Sequence, residues 1–347
     1  MEHLVAPRPA GRDGPRRGRR AVSGGSGGPG DLDDPGAPLR AALRAGVRAG
    51  SFPGASAVSS AADGTVRRAV AGTLAPGDPD PVTPGTRADL GAVTEVFTAV
   101  VVHALAEVGA VDLDRPTGRG FTLAQLLAHT SGLPADSDAR HRGDLRPAQR
   151  LQRVLDAPLE SAPGTVTRPS RVGYVVAGHL VEEATGQGLD ALVEEFVTAP
   201  LGLRGPVFGT AGAPVAGPVL ATGGGTARGV VHDGLAASLR RPAGNAGLFG
   251  TAEEVHALGR ALLEGTLLPP AAWARVRRGE GLPVGDPTWM PAPDSSGRSG
   301  STGASLLLDP RSGSCLVLLT GGVHLDRSRG NLTGFRKSLA AGFTARP

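Results

Sequence analysis

One stretch of the chain, apolar on nearly every side, most constrains the fold. Residues 91–109, GAVTEVFTAVVVHALAEVG, have helical character and carry mostly apolar side chains around the whole circumference. A helix of this kind is buried, because none of its faces is suited to water. The pattern therefore predicts a helix that runs through a domain interior and is covered by other elements.

Segments typical of strands lie on both sides of this helix in the sequence. Before it, a helix that Pro53 and Gly54 are expected to end is followed by two strands within residues 55–72. Near the C-terminus, residues 303–322 contain two apolar strands joined by a turn, and a last helix follows. This order predicts an α+β fold, with an antiparallel sheet flanked by helices.

Composition separates a basic leader from the folded part of the 347-residue chain. Residues 1–35 are rich in arginine, glycine and proline, and we expect them to be disordered. Residues 36–347 are expected to form one domain, with a helical subdomain at roughly 110–240 inserted in its α/β part. Much of the positive charge lies in the leader, which has no interleaved aromatic residues, so no nucleic-acid partner is expected.

No apolar run approaches the length that spans a bilayer, and the leader lacks the apolar core of an export signal. We therefore expect a soluble, cytoplasmic protein without a membrane partner. The single cysteine, Cys315, lies in a predicted buried strand and is interpreted as a core thiol. The eight histidines are scattered, so neither a metal site nor a cofactor is expected.

Several segments resemble those of one family, in that family's order. FTLAQLLAHTSGLP at 121–134 is similar to the TLRHLLTHTSGLP stretch of serine hydrolases related to class C β-lactamases, penicillin-binding D-alanyl-D-alanine carboxypeptidases and bacterial esterases. Residues 161–165, 172–187 and 231–254 also resemble family segments, and the resemblance covers about residues 38–345. It implies a β-lactamase/transpeptidase-like fold, with a ligand cleft between the sheet and the inserted helical subdomain.

The resemblance also shows that the acyl-transfer machinery is substituted. Relatives carry SVTKVFTA, in which a serine nucleophile and its lysine share one helix face. This chain has AVTEVFTA, so Ala92 stands at the serine position and Glu95 at the lysine position. An alanine methyl group cannot form an acyl-enzyme, and Thr94 lies on another side of the helix.

The two other cleft motifs of the family are changed as well. The YSN and KTG or HTG motifs align here with Pro169, Ser170 and Arg171, and with Arg298, Ser299 and Gly300. Proline has no side-chain group that relays a proton. The chain has one lysine, Lys337, in the last helix, and one tyrosine, Tyr174, at a family position that is not the catalytic one. No shift of the alignment supplies the missing lysine and tyrosine.

Other polar residues near these motifs have ordinary interpretations. His129 and Ser131 lie in AHTSGLP, a structural turn in the family, so a packing or capping role is expected for them. His232 and Asp233 resemble a family loop near the cleft, where Asn245 replaces a histidine that relatives often have.

The substitutions predict a cleft that binds a ligand without forming an acyl-enzyme. Because a buried carboxylate needs a partner, we expect Glu95 to pair with Arg171, Arg298 or both, and one arginine to stay free for an anionic ligand. Trp289 either lines the cleft mouth or packs in the interior. The predicted function is that of a pseudoenzyme that binds a small molecule or peptide, through Glu95, Arg171, Arg298 and Trp289.

Two alternatives remain open at this point. Glu95 could act as a general acid or base in a noncovalent enzyme, or Ser170 or Ser299 could support residual serine hydrolase activity. The oligomeric state and the ligand are not predicted by the sequence.

Overall fold

In a computed structural model the chain consists of two units, Met1–Asp34 and Pro35–Pro347. All the helices and strands described below lie in the second unit. The structure describes residues 34–209, 217, 219–221, 228–321 and 332–343. The predicted disordered leader lies, apart from its last two residues, outside this part of the chain.

The described residues form two antiparallel sheets. The strands are β1 (Gly54–Ser60), β2 (Val66–Gly72), β3 (Ala88–Asp89), β4 (Val207–Phe208), β5 (Leu248–Gly250), β6 (Ser296–Ser299), β7 (Ser305–Asp309) and β8 (Ser314–Thr320). The main sheet has the order β2-β1-β8-β7-β6, in which Val58 pairs with Val317. Both predicted strand pairs are therefore present, and β1 and β8 join them into one sheet. A small sheet of order β3-β5-β4 lies at the start of the buried helix.

The helices are α1 (Ala37–Arg48), α2 (Thr94–Glu107), α3 (Leu123–Leu127), α4 (Pro147–Leu155), α5 (Arg171–Thr185), α6 (Leu189–Val193), α7 (Gly234–Leu239), α8 (Ala252–Glu264), α9 (Pro270–Val276) and α10 (Leu332–Phe343). Helix α2 is the predicted central helix, and its residues 94–103 are all buried. Helices α3 to α9 follow α2 before the chain returns to the main sheet at β6. Among the described residues, no helix has the length and apolarity needed to cross a bilayer.

Alternating side chains of the main sheet enter two hydrophobic clusters. On β8, Cys315, Val317 and Leu319 face the cluster that contains α2 and α8, whereas Leu316 and Leu318 face the cluster that contains α1 and α10. This period of two follows from the strand geometry. Helices therefore cover both faces of an antiparallel sheet, and the β-lactamase/transpeptidase-like α+β fold is confirmed.

The end of α1 differs from the prediction. The helix ends at Arg48, and Gly50 adopts φ +70°, a left-handed conformation that glycine tolerates best. Pro53 and Gly54 therefore do not end the helix; Gly54 is the first residue of β1. The earlier glycine ends the helix before the proline is reached.

Candidate active-site cleft

A cavity of about 320 Å³ opens where α2 begins, beside β6 and the N-terminal end of α5. All eight positions that align with the family's cleft motifs line it, namely Ala92, Glu95, Pro169, Ser170, Arg171, Arg298, Ser299 and Gly300. Trp289 is not among the lining residues. Three segments that are distant in sequence thus meet in one cleft.

Close backbone packing fixes the start of α2 in this cleft. Gly91 has φ +49°, and the Asp89 Oδ1 atom accepts its N–H at 2.8 Å. An ideal Cβ on Gly300 would lie 3.1 Å from the backbone nitrogen of Ala92, so the segment after β6 and the start of α2 are in direct contact. The methyl group of Ala92 therefore forms part of the cleft wall.

The hydroxyl, phenol and amine that could replace the missing groups lie outside the cleft. Thr94 is fully buried, and its Oγ1 accepts the N–H of Leu248 at 3.3 Å. The Tyr174 hydroxyl donates to the carbonyl of Leu127 at 3.0 Å, and burial raises the pKa of this phenol far above its usual range. Lys337 is exposed on α10. None of these three side chains lines the cavity.

Glu95 is buried and forms an ion pair across the cleft. Its side chain is 3% exposed, and its Oε2 contacts the guanidinium of Arg298, whose side chain is 12% exposed. The Nε2 atom of His129 lies 3.6 Å from the same carboxylate oxygen, which is too long for a hydrogen bond. Because the His129 Nδ1 atom accepts the N–H of Ser170 at 3.1 Å, the proton of the neutral ring is on Nε2 and faces Glu95.

Arg171 does not pair with Glu95 and is not free. Its guanidinium contacts Asp136 at 2.8 Å and Asp233 at 3.1 Å. This arrangement corrects the expectation that one arginine remains free for an anionic ligand: Arg298 is held by Glu95 and Arg171 by two carboxylates. Asp136 was not visible as a partner in the sequence, because the segment that carries it comes near α5 only in the folded chain.

The hydroxyl of Ser170 caps a helix. It accepts the N–H of Gly173 at 2.9 Å at the N-terminus of α5, and it donates to the carbonyl of Pro134 at 2.6 Å. A hydroxyl whose proton is committed to a carbonyl, with no lysine beside it, is poorly placed as a nucleophile.

Trp289 packs in the interior. It is 4% exposed, belongs to the cluster that contains α1 and α10, and lies against Gly297, where an added Cβ would be 2.8 Å from the indole ring. Of the two roles considered for this residue, the structure places it in packing; the prediction that it binds ligand at the cleft mouth is wrong, because the ring is directed into the core.

Burial shifts the pKa values of two titratable groups at or close to the cleft, Asp89 and His232. Burial raises the pKa of the Asp89 carboxyl to about 6, although this group accepts the N–H groups of Gly91 and His232, and the charge of Asp233 raises it further. Burial also lowers the pKa of His232. Within the described ranges, no group of three His, Cys, Asp or Glu side chains is placed to hold a metal ion.

Sequence reasoning overlooked two residues of this site. His129 was expected only to pack or cap, yet it lies between Glu95 and Ser170 and has φ +58°. Asp89 carried no motif, and the one signal that could have identified it is an acidic residue in an otherwise apolar run just before α2.

A sequence model of a known family covers nearly the whole folded unit: the Beta-lactamase model matches residues 39–341. The chain belongs to the beta-lactamase family. Members that it resembles include penicillin-binding protein 4 of Amycolatopsis lactamdurans, 31% identical over 44% of this chain and 43% of the relative. Esterase EstB of Burkholderia gladioli is 33% identical over 33% of this chain and 36% of the relative. The chain thus spans less than half the length of these two curated beta-lactamase-family relatives.

Solved structures show the same fold at lower identity. The D-amino acid amidase of Ochrobactrum anthropi SV3, complexed with L-phenylalanine amide, matches with a TM-score of 0.67, 20% identity and coverage of 88% of this chain and 97% of the amidase. SurE with D-Leu matches with a TM-score of 0.69, 24% identity and coverage of 88% and 74%. At 20% and 24% identity, these structures show the shared fold alone.

Proposed function

We propose that this beta-lactamase-family chain binds a small molecule or peptide in the cleft without forming an acyl-enzyme. The observation that carries the proposal is the replacement of the reacting pair: a methyl group at Ala92 and a carboxylate at Glu95 that is neutralised by Arg298. Acyl transfer in this family requires a hydroxyl to attack and an amine to take its proton. Neither group is present at these positions.

The engaged state of the remaining candidates supports the same proposal. The Ser170 hydroxyl caps α5, and the Tyr174 hydroxyl is bound to a backbone carbonyl. The relatives named as a penicillin-binding protein, an esterase and an amidase suggest that amide- or ester-bearing molecules and peptides are sensible ligands to try first.

Acylation is tested with a fluorescent penicillin and with p-nitrophenyl acetate, followed by intact-mass measurement. We expect the mass of the protein to stay unchanged with both reagents. The Ala92→Ser variant restores the hydroxyl without a base, and we expect it also to remain unlabelled. A stable adduct on Ser170, Ser299 or any other serine of the unaltered chain would overturn the proposal and restore a serine hydrolase.

A noncovalent enzyme that uses Glu95 as a general acid or base is the competing function. The ion pair with Arg298 disfavours it, because a base must be free to accept a proton from the substrate. The Glu95→Gln variant separates the two functions, and Glu107→Gln, at the exposed end of α2, is its control. The enzyme would be established if the protein turned over an amide or ester, if Glu95→Gln abolished this turnover and if Glu107→Gln left it unaffected. Under the proposal, neither variant has turnover to lose.

A further inference from the structure

A buried carboxylate joins two walls of the cleft. Asp89 is 1% exposed, and each of its oxygens accepts a different backbone N–H. Oδ1 accepts the N–H of Gly91 at 2.8 Å, and Oδ2 accepts the N–H of His232 at 2.8 Å. Gly91 and His232 both line the cavity, although they are far apart in sequence. Asp89 therefore fixes one wall of the cleft relative to the other.

The two contacts of Asp89 differ in what else maintains them. Gly91 is two residues further along the chain, so the connectivity of the backbone keeps its N–H close to Oδ1. His232 belongs to residues 230–233, which have no regular secondary structure, and its bond to Oδ2 joins distant parts of the chain. The contact with His232 is therefore the one that depends more on the carboxylate.

The residue after His232 holds two side chains of the cleft. The carboxylate of Asp233 contacts the guanidinium of Arg171 at 3.1 Å and accepts the Nδ2–H of Asn245 at 3.0 Å. All three of these residues line the cavity. Because Asp233 directly follows His232, a displacement of His232 would also displace the partner of Arg171 and Asn245.

The surroundings of Asp89 disfavour its charge. Burial raises the pKa of this carboxyl to about 6, and the negative charge of Asp233 acts in the same direction. The neighbouring strand β5, Leu248–Gly250, contributes no charged side chain. The ring of His232 also titrates: burial lowers its pKa, the charge of Asp233 raises it and the charge of Arg171 lowers it. Any test must therefore separate the carboxyl from this ring.

Protonation would change what the carboxyl can accept. An ionised carboxylate accepts hydrogen bonds through both oxygens, whereas a protonated carboxyl carries an O–H donor on one of them. The two N–H groups of Gly91 and His232 then no longer have two equivalent acceptors. Since connectivity maintains the bond to Gly91, the oxygen that faces His232 is the one expected to take the proton.

We propose that Asp89 is a pH-sensitive latch of the cleft. Its ionised carboxylate holds His232 close to the start of α2, and protonation of Oδ2 releases residues 230–233 together with the carboxylate of Asp233. The wall is fixed at neutral pH and loosened in acid. This inference rests on the proposed binding function, because it describes how that binding site is regulated.

NMR of the intact protein follows the latch at both ends. Labelling with ¹⁵N-histidine reports the backbone N–H of His232, and the chain has two asparagines, Asn245 and Asn331, so ¹⁵N-asparagine labelling reports the Nδ2 protons of Asn245. We expect the His232 amide proton to move upfield on acidification as its hydrogen bond is lost, with a midpoint at the pKa of Asp89, about 6. The Asn245 side-chain protons should shift with the same midpoint. If either signal stays unchanged across this range, the latch is refuted.

Two variants identify the group that titrates. Asp89→Asn places an amide N–H₂ where one oxygen was, which resembles the protonated carboxyl, so the His232 amide proton should stay at its acidic position at every pH. His232→Gln removes the ring but keeps the backbone N–H, and with ¹⁵N-glutamine labelling residue 232 should show the same midpoint. Loss of the step in His232→Gln would assign it to the ring and overturn the inference. If Asp89→Asn does not fold, the unaltered protein and His232→Gln still decide the matter.

The matched control is an exposed aspartate with the same kind of contacts. Asp112 accepts the N–H groups of Asp114 at 3.0 Å and Arg115 at 3.2 Å, in a turn outside the cleft. Asp112→Asn should leave the titration of the His232 amide unchanged. An altered midpoint in this variant would contradict the assignment to Asp89.

The result is separable from the test of the proposed function. An acyl adduct with penicillin would refute noncovalent binding whatever the His232 amide shows. An unmodified protein in which the His232 amide does not respond to acid refutes only the latch.

Discussion

Replacement of Arg298 by methionine tests the ion pair on which the cleft depends. The variant keeps an unbranched side chain of similar length but removes the guanidinium that pairs with the Glu95 carboxylate, which is 3% exposed. The His129 Nε2 atom, 3.6 Å from that carboxylate, is too far away to replace it with a hydrogen bond. Breaking a buried ion pair by removing one partner costs about 3–5 kcal/mol, because an uncompensated charge stays buried. The opening of the cavity to solvent places the expected loss near the lower end, at about 3 kcal/mol.

Glu95→Gln and the double variant measure the interaction energy between Glu95 and Arg298. Glu95→Gln should cost less than Arg298→Met, since the amide oxygen still accepts from the guanidinium. The double variant should be more stable than the sum of the two losses predicts, by at least about 1 kcal/mol, as expected for residues in contact. A loss of about 3 kcal/mol corresponds to a fall in Tm of roughly 6 °C in a large domain.

Urea unfolding followed by circular dichroism gives these free energies. The matched control is Arg153→Met, which breaks an exposed ion pair with Asp138 at 2.6 Å, and an exposed pair contributes at most about 1 kcal/mol. If Arg298→Met destabilises the protein no more than Arg153→Met does, or if the two cleft variants are additive, the ion pair does not hold the cleft together and the reasoning fails.

Three further predictions concern stability. The pKa of the Asp89 carboxyl is raised to about 6 in the folded state, so the free energy of unfolding should fall by up to about 3 kcal/mol as the pH rises from about 4 to about 6. Urea unfolding of Asp89→Asn should not show this fall, so the stability of the variant relative to the unaltered protein should increase over that range. Ser170→Ala removes the cap of α5 and should cost about 1 kcal/mol in thermal or urea unfolding; no measurable loss would contradict the capping role. Gly259→Ala places a methyl group 2.6 Å from the Cys315 sulfur and should lower the free energy of unfolding by about 1–3 kcal/mol. Adding Cys315→Ala in a double variant should recover part of this lost stability.

Local sequence pattern was sufficient to predict the elements that build the sheet. The Asp63-Gly64 pair separates β1 from β2, with Gly64 at φ +80° and Thr65 N–H donating to Asp63 Oδ1 at 2.8 Å. The apolar run after Gly91 became the buried helix α2. These features depend on residues close in sequence, which is why pattern alone reveals them.

The resemblance was needed to bring the cleft together, since Ala92, Pro169 and Arg298 are far apart in sequence and share no local pattern. Even so, it could not decide which partner each charge takes. Glu95 and Asp136 both compete for arginines, and only the folded arrangement assigns Arg298 to the first and Arg171 to the second.

The role of Asn245 was hidden for a related reason. In the sequence it is a histidine position that has lost an acid or base. In the structure the Asn245 Nδ2 atom donates to Asp233 Oδ1 at 3.0 Å, so a carboxylate that is distant in sequence fixes the direction of the amide.

The pairing of Glu95 with Arg298 also bears on how this chain could change over evolutionary time. A single mutation that restored lysine at position 95 would set two cations against each other in a buried site, and one that restored serine at position 92 would gain a hydroxyl with no base. Under the proposed function, each of these substitutions would therefore be unfavourable or without effect alone, and acyl transfer would require several of them together.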